Sequence, residues 1–309
     1  MTTLYYHHDA CLNHDTGPGH PERPDRMRAV EQGLSAEQFS PLIRLSAPLA
    51  DFDTIALCHS NEYLDELRHM APKEGMVYID GDTSMSPGTL EAALRATGGA
   101  IAAVDAVMTS TGTNAFVGTR PPGHHAEAGR SMGFCFFDTA AIAARYAQRK
   151  YGISRAAVVD FDVHHGNGTQ DIFWADATVM YASTHQMPLF PGTGAMSERG
   201  ERDTIVNAPL HSGNGSREFR EAFDIAILPR LEQFSPELIV ISAGFDAHWR
   251  DPLGGLELRE EDYVWVTRKL MEIADRSAQG RIVSVLEGGY DLQGLQNSVA
   301  AHVATLMNH

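Results

Sequence analysis

The stretch AAVVDFDVHHGNGT, residues 156–169, decides the fold class of this 309-residue chain. Its first part, Ala156–Asp160, is apolar up to the final aspartate, which is typical of a strand buried on both faces of a sheet. Aspartate, histidine and glycine residues follow at the point where such a strand would end. The stretch therefore predicts a buried strand that presents polar side chains at its carboxyl end.

The same pattern occurs at four other places in the chain, among segments with helical periodicity. The other predicted strands are Ala115–Gly118, Val179–Ser183, Leu238–Ser242 and Ile282–Leu286. The predicted helices are Leu90–Met108, Thr139–Tyr151, Ser216–Phe234 and Glu260–Ala278. This alternation predicts an α/β fold with a central, mostly parallel sheet and helices on both faces. Because no repeat or linker-like composition divides the chain, we expect residues 1–309 to form a single domain.

Composition excludes several classes of function. The chain has 40 acidic and 24 basic side chains, a net charge of −16, which argues against direct nucleic-acid binding and is compatible with a cationic substrate. Its three scattered cysteines, Cys11, Cys58 and Cys135, form no disulfide framework. A signal-peptide pattern and an apolar run of ~18 residues are both missing, so we expect a cytoplasmic protein with no membrane partner. The oligomeric state is left open, a homo-oligomer included.

Polar residues follow all five predicted strands. They are His124–His125, Asp160–His164, Ser183–His185, Asp246–His248 and Glu287–Tyr290. In open parallel sheets a ligand binds outside the carboxyl ends of the strands. We therefore expect these residues to converge on one site.

A metal centre is predicted within this set. In an extended chain Asp160, Asp162 and His164 lie on one side, so a carboxylate and an imidazole can ligate the same ion. Isolated aspartates more often cap helices or form salt bridges, but Asp246 at a second strand end is the best candidate for a third ligand. Three protein ligands with one open position are the arrangement of catalytic zinc.

Two further features suit proton transfer and oxyanion binding. The His124–His125 pair supplies imidazoles that titrate near neutral pH, and a metal held by two carboxylates needs a separate general base. A pair such as His7–His8 is more simply a surface dipeptide. Tyr290 follows two glycines that allow close approach to a ligand, and its phenol could donate to an oxyanion. The alternative for Tyr290 alone is a buried tyrosine with a satisfied hydroxyl.

Five ordered motifs together resemble the zinc-dependent histone deacetylase superfamily, in particular its class II branch and its bacterial amidohydrolase relatives. They are RPPGHHA (120–126), MGFCFF (132–137), VDFDVHHGNGTQ (159–170), SAGFD (242–246) and LEGGY (286–290). The resemblance implies the arginase-deacetylase fold and a single histone deacetylase-like catalytic domain over residues 1–309. It also implies a hydrolase acting on linear amides.

Carried over residue by residue, the resemblance implies a zinc ion held by Asp162, His164 and Asp246. His125 would be the general base, His124 the second histidine of the pair and Tyr290 the electrophile. Asp160 would orient His124, and Asn167 stands beside His125 where class I members have an aspartate. A structural potassium or sodium ion would be held by Asp160, Asp162, His164, Ser183 and Thr184. The implied substrate-binding residues are Phe134, Phe190, Leu253, Gly133, Gly289 and Arg26.

The implied reaction removes acetyl or other acyl groups from acylated amines, with N-acetyl-lysine side chains of proteins or peptides as the first candidates. An alternative is an acetylpolyamine or another small amide or ester. Leu253 weakens the polyamine alternative, because the polyamine-selective vertebrate member has an acidic residue there. An arginase-like binuclear manganese hydrolase would want an Asp-x-Asp pair where this chain has Asp246-Ala247-His248. The last alternative is an inactive acyl-lysine binding module, but this chain retains the zinc ligands, both histidines and Tyr290.

Overall fold

Eight parallel strands form the central sheet of the computed structural model, which describes residues 2–308. These strands are β1 (Thr3–His7), β2 (Ile43–Ser46), β5 (Asn114–Val117), β6 (Ala156–Asp160), β7 (Val179–Gln186), β8 (Ile205–Leu210), β9 (Leu238–Ala243) and β10 (Ile282–Leu286). They lie in the order β2-β1-β5-β10-β9-β6-β7-β8, and every neighbouring pair is parallel. Two short strands, β3 (Val77–Tyr78) and β4 (Ser84–Met85), form a separate antiparallel hairpin.

The five strands predicted from the sequence are all present and form the contiguous centre of the sheet. Three strands nearer the edges, β1, β2 and β8, were not predicted. β2 is largely exposed and β8 contains Asn207 and Pro209, so neither has the continuous apolar pattern of a central strand. These strands belong to the sheet because of pairing with distant neighbours rather than because of their own composition.

Ten α-helices surround the sheet within residues 2–308. They are α1 (Asp25–Gly33), α2 (Phe52–Ile55), α3 (Asn61–Met70), α4 (Thr89–Met108), α5 (Thr139–Tyr151), α6 (Asn167–Phe173), α7 (Ser216–Ala222), α8 (Leu228–Phe234), α9 (Glu260–Ser277) and α10 (Leu292–Met307). None of the helices in this range combines the length and the hydrophobicity needed to cross a membrane.

Each face of the sheet is covered by its own hydrophobic core. Strand β9 shows the division: Leu238 and Val240 point into one core, with α4 and α5, while Ile239 and Ile241 point into the other, with α1, α9 and α10. Alternate residues of a strand face opposite sides, so a strand buried on both faces must be apolar at every position. The prediction of helices on both faces is confirmed.

The predicted helix over Ser216–Phe234 contains a wider turn in its middle. Helices α7 and α8 are joined by a π-helical turn over Phe223–Ile227, which ends two residues before Pro229 in the first turn of α8. Proline has no N–H to donate to the preceding turn, and its ring crowds the carbonyl four residues earlier. The wider turn accommodates the ring without ending the helix.

A buried carboxyl group at the start of α5 makes the stability of the fold depend on pH. Asp138 caps this helix: Oδ1 accepts a hydrogen bond from Ala141 N at 2.8 Å and Oδ2 accepts one from Thr169 Oγ1 at 2.7 Å. Burial raises the pKa of Asp138 from 3.8 to about 7. Between these two pH values the folded protein holds a proton that the unfolded chain releases. The free energy of unfolding therefore decreases as the pH rises through this range.

We expect Asp138→Asn to remove that pH dependence. Relative to the variant, the wild type should lose up to about 1.4 kcal/mol of unfolding free energy per pH unit between pH 4 and 7. Urea unfolding at several pH values measures the difference. Asp51→Asn is the matched control, because Asp51 caps α2 by accepting from Thr54 N but is exposed. Parallel pH profiles for wild type and Asp138→Asn would contradict the prediction.

Candidate active site

The carboxyl ends of five adjacent strands, β5, β10, β9, β6 and β7, meet at one edge of the sheet. Asp160, the last residue of β6, is in register with Ser183 on β7 and with Ser242 on β9. On the other side of β9, Ala243 is in register with Leu286 of β10. The segments that follow these strands therefore start side by side, as the sequence predicts.

Asp162, His164 and Asp246 form a buried cluster whose potential ligand atoms lie within 4.8 Å of one another. His164 Nδ1 is 3.2 Å from Asp162 Oδ1 and 3.1 Å from Asp246 Oδ2. Gly288 N donates to Asp162 Oδ2 at 2.8 Å, and Val163 N donates to Asp246 Oδ1 at 2.9 Å. Backbone amides thus hold both carboxylates in place independently of an ion.

The cluster fits a divalent metal ion. Two glycines make room for the carboxylates: a Cβ at Gly244 would lie 2.0 Å from Asp162 Oδ2, and one at Gly288 would lie 2.1 Å from Asp246 Oδ2. One imidazole and two carboxylates are donors that suit zinc and similar metals, and three ligands leave a position open. Burial lowers the pKa of His164, but the two aspartates outweigh burial and raise it to about 10, which reflects the negative charge of the cluster.

His125 is held in one tautomer by Asn167. Asn167 Nδ2 donates to Glu127 Oε1 at 2.8 Å, which fixes the amide so that its oxygen faces His125 Nδ1, also at 2.8 Å. An amide oxygen only accepts, so Nδ1 carries the proton and Nε2 is free to accept another. Burial, followed by the neighbouring imidazoles of His124 and His164, lowers the pKa of His125 well below its usual value. These surroundings favour the neutral form of His125.

His124 lies in the opposite electrostatic environment. Its ring centroid is 4.1 Å from that of His125, and its Nδ1 is 2.9 Å from Asp160 Oδ2. Burial alone would lower the pKa of His124, but the carboxylates of Asp160, Asp162 and Glu287 outweigh burial and raise the pKa well above its usual value. The two adjacent histidines therefore favour different protonation states.

Glu287 fixes the backbone of the histidine pair. Its Oε2 accepts hydrogen bonds from Gly123 N at 2.6 Å and His124 N at 3.1 Å, whereas its Oε1 has no partner among residues 2–308. Burial raises the pKa of this carboxyl to about 8. The residue connects the segment after β10 to the segment after β5.

Tyr290 lies on the segment after β10 and lines the same cavity as His164 of the Asp162–His164–Asp246 cluster. Its ring packs edge-on against Phe134 at 5.9 Å between centroids, and the guanidinium of Arg26 lies 4.9 Å from the ring centroid. Arg26 Nε donates to Gly289 O at 2.7 Å, so this arginine is behind Tyr290 and not among the residues lining the cavity. Within residues 2–308 the Tyr290 hydroxyl has no hydrogen-bond partner, which leaves it available to a ligand.

A cavity of about 260 Å³ opens above these groups. It is lined by Asp82, His125, Gly133, Phe134, His164, Leu189, Phe190, Leu253 and Tyr290. At Gly133, where φ is +56°, a Cβ would lie 2.5 Å from His125 Cδ2, so only glycine leaves the imidazole unobstructed. Phe134 and Phe190 contribute aromatic surface to the cavity, and His125, His164 and Tyr290 contribute polar groups.

The residues predicted to hold a monovalent cation lie on neighbouring segments. Asp160 Oδ1 accepts from Asp162 N at 3.0 Å, and Ser183 Oγ is 2.8 Å from His185 Nδ1. Thr184 Oγ1 is buried and has no partner in the described part of the chain. Gly289, another predicted residue, is not among the residues lining the cavity; its φ of +121° forms the turn that leads into Tyr290.

Several residues near the site were not predicted from the sequence. Asp82 and Leu189 line the cavity, Asp251 accepts a hydrogen bond from Tyr290 N, and Glu22 binds both Arg26 and Arg120. For Asp251 a signal exists, since it lies in the same loop as Asp246 and precedes a proline. For the others the partner is too far away in sequence to be recognised from local patterns.

Residues 20–306 match the sequence profile of the histone deacetylase domain. The chain belongs to the histone deacetylase family. Its relatives include a "Probable deacetylase" of Archaeoglobus fulgidus, 39% identical over 95% of this chain and 83% of the relative. A "Histone deacetylase-like amidohydrolase" of Pseudomonas aeruginosa is 36% identical over 93% and 81%, respectively.

A solved structure agrees with this family assignment. The crystal structure of the HDA15 HD domain superposes with a TM-score of 0.94 and 33% identity, covering 100% of this chain and 88% of that one. The predicted arginase-deacetylase fold is thereby confirmed. As a histone deacetylase family member the chain is a hydrolase that acts on amides of acylated amines, which confirms the predicted class of enzyme.

Proposed function

We propose that residues 1–309 form one cytoplasmic, zinc-dependent catalytic domain that removes acetyl or other acyl groups from N-acyl-lysine side chains of proteins or peptides. The observation that carries this proposal is the position of His125, His164 and Tyr290 together on one narrow cavity. A proton acceptor, a metal ligand and a free hydroxyl thus face the same small volume. Hydrolysis of an amide needs these three functions at the reacting carbon.

The shape of the cavity supports an acylated amine on an aliphatic chain. Phe134 and Phe190 supply apolar surface that suits the methylene chain of lysine. The buried residues His125, His164 and Tyr290 supply polar groups, and the exposed side chain of Asp82 adds a carboxylate to the lining. Phe190 remains 41% exposed, so this side of the cavity is open to the surface and could admit a peptide. Leu253 and Leu189 add apolar surface to the lining.

Asp162, His164 and Asp246 would hold the zinc ion. When bound, the ion supplies Lewis-acid activation of the acyl carbonyl and of the attacking water. The adjacent monovalent site would hold potassium or sodium through Asp160, Asp162, His164, Ser183 and Thr184, because hydroxyl and carbonyl oxygens suit a hard cation.

The remaining steps belong to side chains of this protein. His125 Nε2 takes a proton from the water as the water oxygen bonds to the acyl carbon. The Tyr290 hydroxyl donates a hydrogen bond to the resulting oxyanion. An imidazolium of the histidine pair gives a proton to the departing amine as the carbon–nitrogen bond breaks. Asp160 and Asn167 orient the two imidazoles throughout.

A binuclear, arginase-like site is not supported by the arrangement of residues. His248, which stands in the second position of the Asp-x-Asp pair, accepts from Arg250 N at 3.3 Å and lies 3.7 Å from Glu260. Within residues 2–308 the triad is the single cluster of three or more histidine, cysteine or acidic side chains that is close enough to hold a metal.

Metal analysis and a substrate panel together test the proposal. We expect one zinc ion per chain and hydrolysis of an acetyl-lysine peptide in preference to acetylputrescine, with longer acyl-lysines defining the acyl preference. Asp246→Ala should lose both metal and activity, whereas Asp105→Ala, a carboxylate on α4 far from the triad, should lose neither. Two manganese ions per chain, or no hydrolysis of any acylated amine, would overturn the proposal. A preference for acetylputrescine would identify acylated polyamines, rather than acyl-lysine side chains, as the substrates.

A further inference from the structure

The segment that carries Tyr290 has little stiffness of its own. Gly288 and Gly289 precede the tyrosine, and Gly289 has a φ of +121°, so no side chain restrains this turn. The hydroxyl must nevertheless be fixed with respect to the metal cluster, because a displacement of ~1 Å can reduce a rate about 100-fold. The restraint must therefore come from groups outside the turn.

One restraint comes from Arg26, which binds the carbonyl groups of Glu287 and Gly289. The N–H groups on the other side of the turn are held by a different residue. Asp251 Oδ2 accepts hydrogen bonds from Tyr290 N at 2.7 Å and from Asp291 N at 3.1 Å. Arg26 and Asp251 thus bind opposite polar groups of the same turn.

The second oxygen of Asp251 binds the lining of the cavity. Oδ1 accepts a hydrogen bond from Leu253 N at 3.0 Å, and Leu253 is part of the cavity lining. The Asp251 side chain is only 7% exposed, and its own backbone N–H donates to His248 O at 2.8 Å. One buried carboxylate therefore connects the Leu253 side of the cavity to the tyrosine.

We propose that Asp251 is a positioning residue that sets the distance between the Leu253 side of the cavity and the Tyr290 hydroxyl. It touches neither substrate nor metal and acts through the backbone of Tyr290. The inference rests on the proposed function, in which Tyr290 binds the oxyanion. It adds that substrate contacts at Leu253 and stabilisation at Tyr290 depend on the same carboxylate.

Kinetics of four proteins test this dependence: wild type, Asp251→Ala, Tyr290→Phe and the double variant, with an acetyl-lysine peptide as substrate. We expect the kcat of Asp251→Ala to be about 10- to 100-fold lower than that of the wild type. The kcat of the double variant should be less than about threefold lower than that of Tyr290→Phe. A merely structural role would lower kcat by the same factor in both backgrounds, and that result would overturn the proposal. Asp251→Asn retains one acceptor oxygen and should fall between Asp251→Ala and the wild type.

A matched control separates positioning from general destabilisation. Asp262 is also a buried carboxylate that accepts a backbone hydrogen bond, from Arg259 N at 3.1 Å, but it caps α9 and does not bind the active-site segments. Asp262→Ala should reduce stability and leave kcat within about twofold of the wild type. A similar loss of kcat in both alanine variants would count against a specific role for Asp251.

Hydrogen exchange provides a readout that does not depend on catalysis. In Asp251→Ala, amides in the peptides covering residues 251–255 and 287–293 should exchange at least tenfold faster, with no such change in Asp262→Ala. Unchanged exchange would refute the proposal even if the wild type hydrolyses acyl-lysine. Conversely, exchange could be faster in Asp251→Ala while the wild type is inactive on every acylated amine. That result would support the positioning role of Asp251 and reject the proposed function.

Discussion

Replacing Tyr290 with phenylalanine will lower kcat by several hundredfold without loss of metal. The variant keeps the ring that packs against Phe134 and Arg26 and removes only the hydroxyl, which has no partner within residues 2–308. Folding should be unaffected, because no intramolecular hydrogen bond is lost. In the reaction the hydroxyl would donate to the oxyanion, and loss of one such donor costs about 10²–10³ in kcat.

Steady-state kinetics with an acetyl-lysine peptide, metal analysis and thermal unfolding together check this prediction. Tyr151→Phe is a suitable control, since its hydroxyl donates to Asp105 at 2.8 Å at the far end of α5. That variant should retain wild-type kcat. A Tyr290→Phe variant with wild-type kcat would remove this tyrosine from the proposed mechanism.

Glu22→Gln will destabilise the fold by about 3–5 kcal/mol, the range measured when one partner of a buried ion pair is removed. Glu22 Oε1 and Oε2 accept from Arg120 Nε at 2.7 Å and Arg120 Nη2 at 2.6 Å, and Oε1 also accepts from Arg26 Nη1 at 3.0 Å. All three side chains are 0% exposed. Glutamine preserves the size of the side chain but leaves two guanidinium groups buried without their carboxylate.

The ionisation of Glu22 is consistent with this role. Burial would raise its pKa, but the charge of Arg120 and the hydrogen bond from His14 outweigh burial and hold the pKa well below its usual value. A denaturant titration measures the loss of stability in Glu22→Gln. Asp203→Asn is the control: Asp203 pairs with Arg199 at the surface, where both are 55% exposed, and an exposed pair contributes about 0–1 kcal/mol. Equal losses in the two variants would show that burial of the ion pair is unimportant.

The local sequence is sufficient to predict the structural role of a residue when its environment is determined by its neighbours in the chain. The central strands are apolar at every position because both of their faces are buried, so each is recognisable by itself. The residues that follow them are brought together by the rule that parallel strands end at the same edge. For this reason the sequence is sufficient to name Asp162, His164, Asp246, the histidine pair and Tyr290 as candidate site residues.

The residues that hold this site in place could not be predicted in the same way. Glu22 and Arg120 are 98 residues apart, and Asp251 and Tyr290 are 39 residues apart. In the sequence Glu22 and Asp251 are two acidic side chains among 40, and the local pattern does not reveal the partner of either. Only burial beside a specific partner gives them a role, because charge–charge and hydrogen-bond energies depend on distance and on exclusion of water.

The amino-acid sequence alone is enough to predict the fold class, the family resemblance and the polar groups His125, His164 and Tyr290 that line the cavity. Three features are seen only in the folded protein: the free nitrogen of His125, the groups that hold the turn before Tyr290, and the pairing of Glu22 with two buried arginines. This difference arises because the hydrophobic pattern of a strand and the polar residues at its end are local in the sequence. The orientation of a buried polar group instead depends on partners far away in the sequence, which folding brings within about 3 Å.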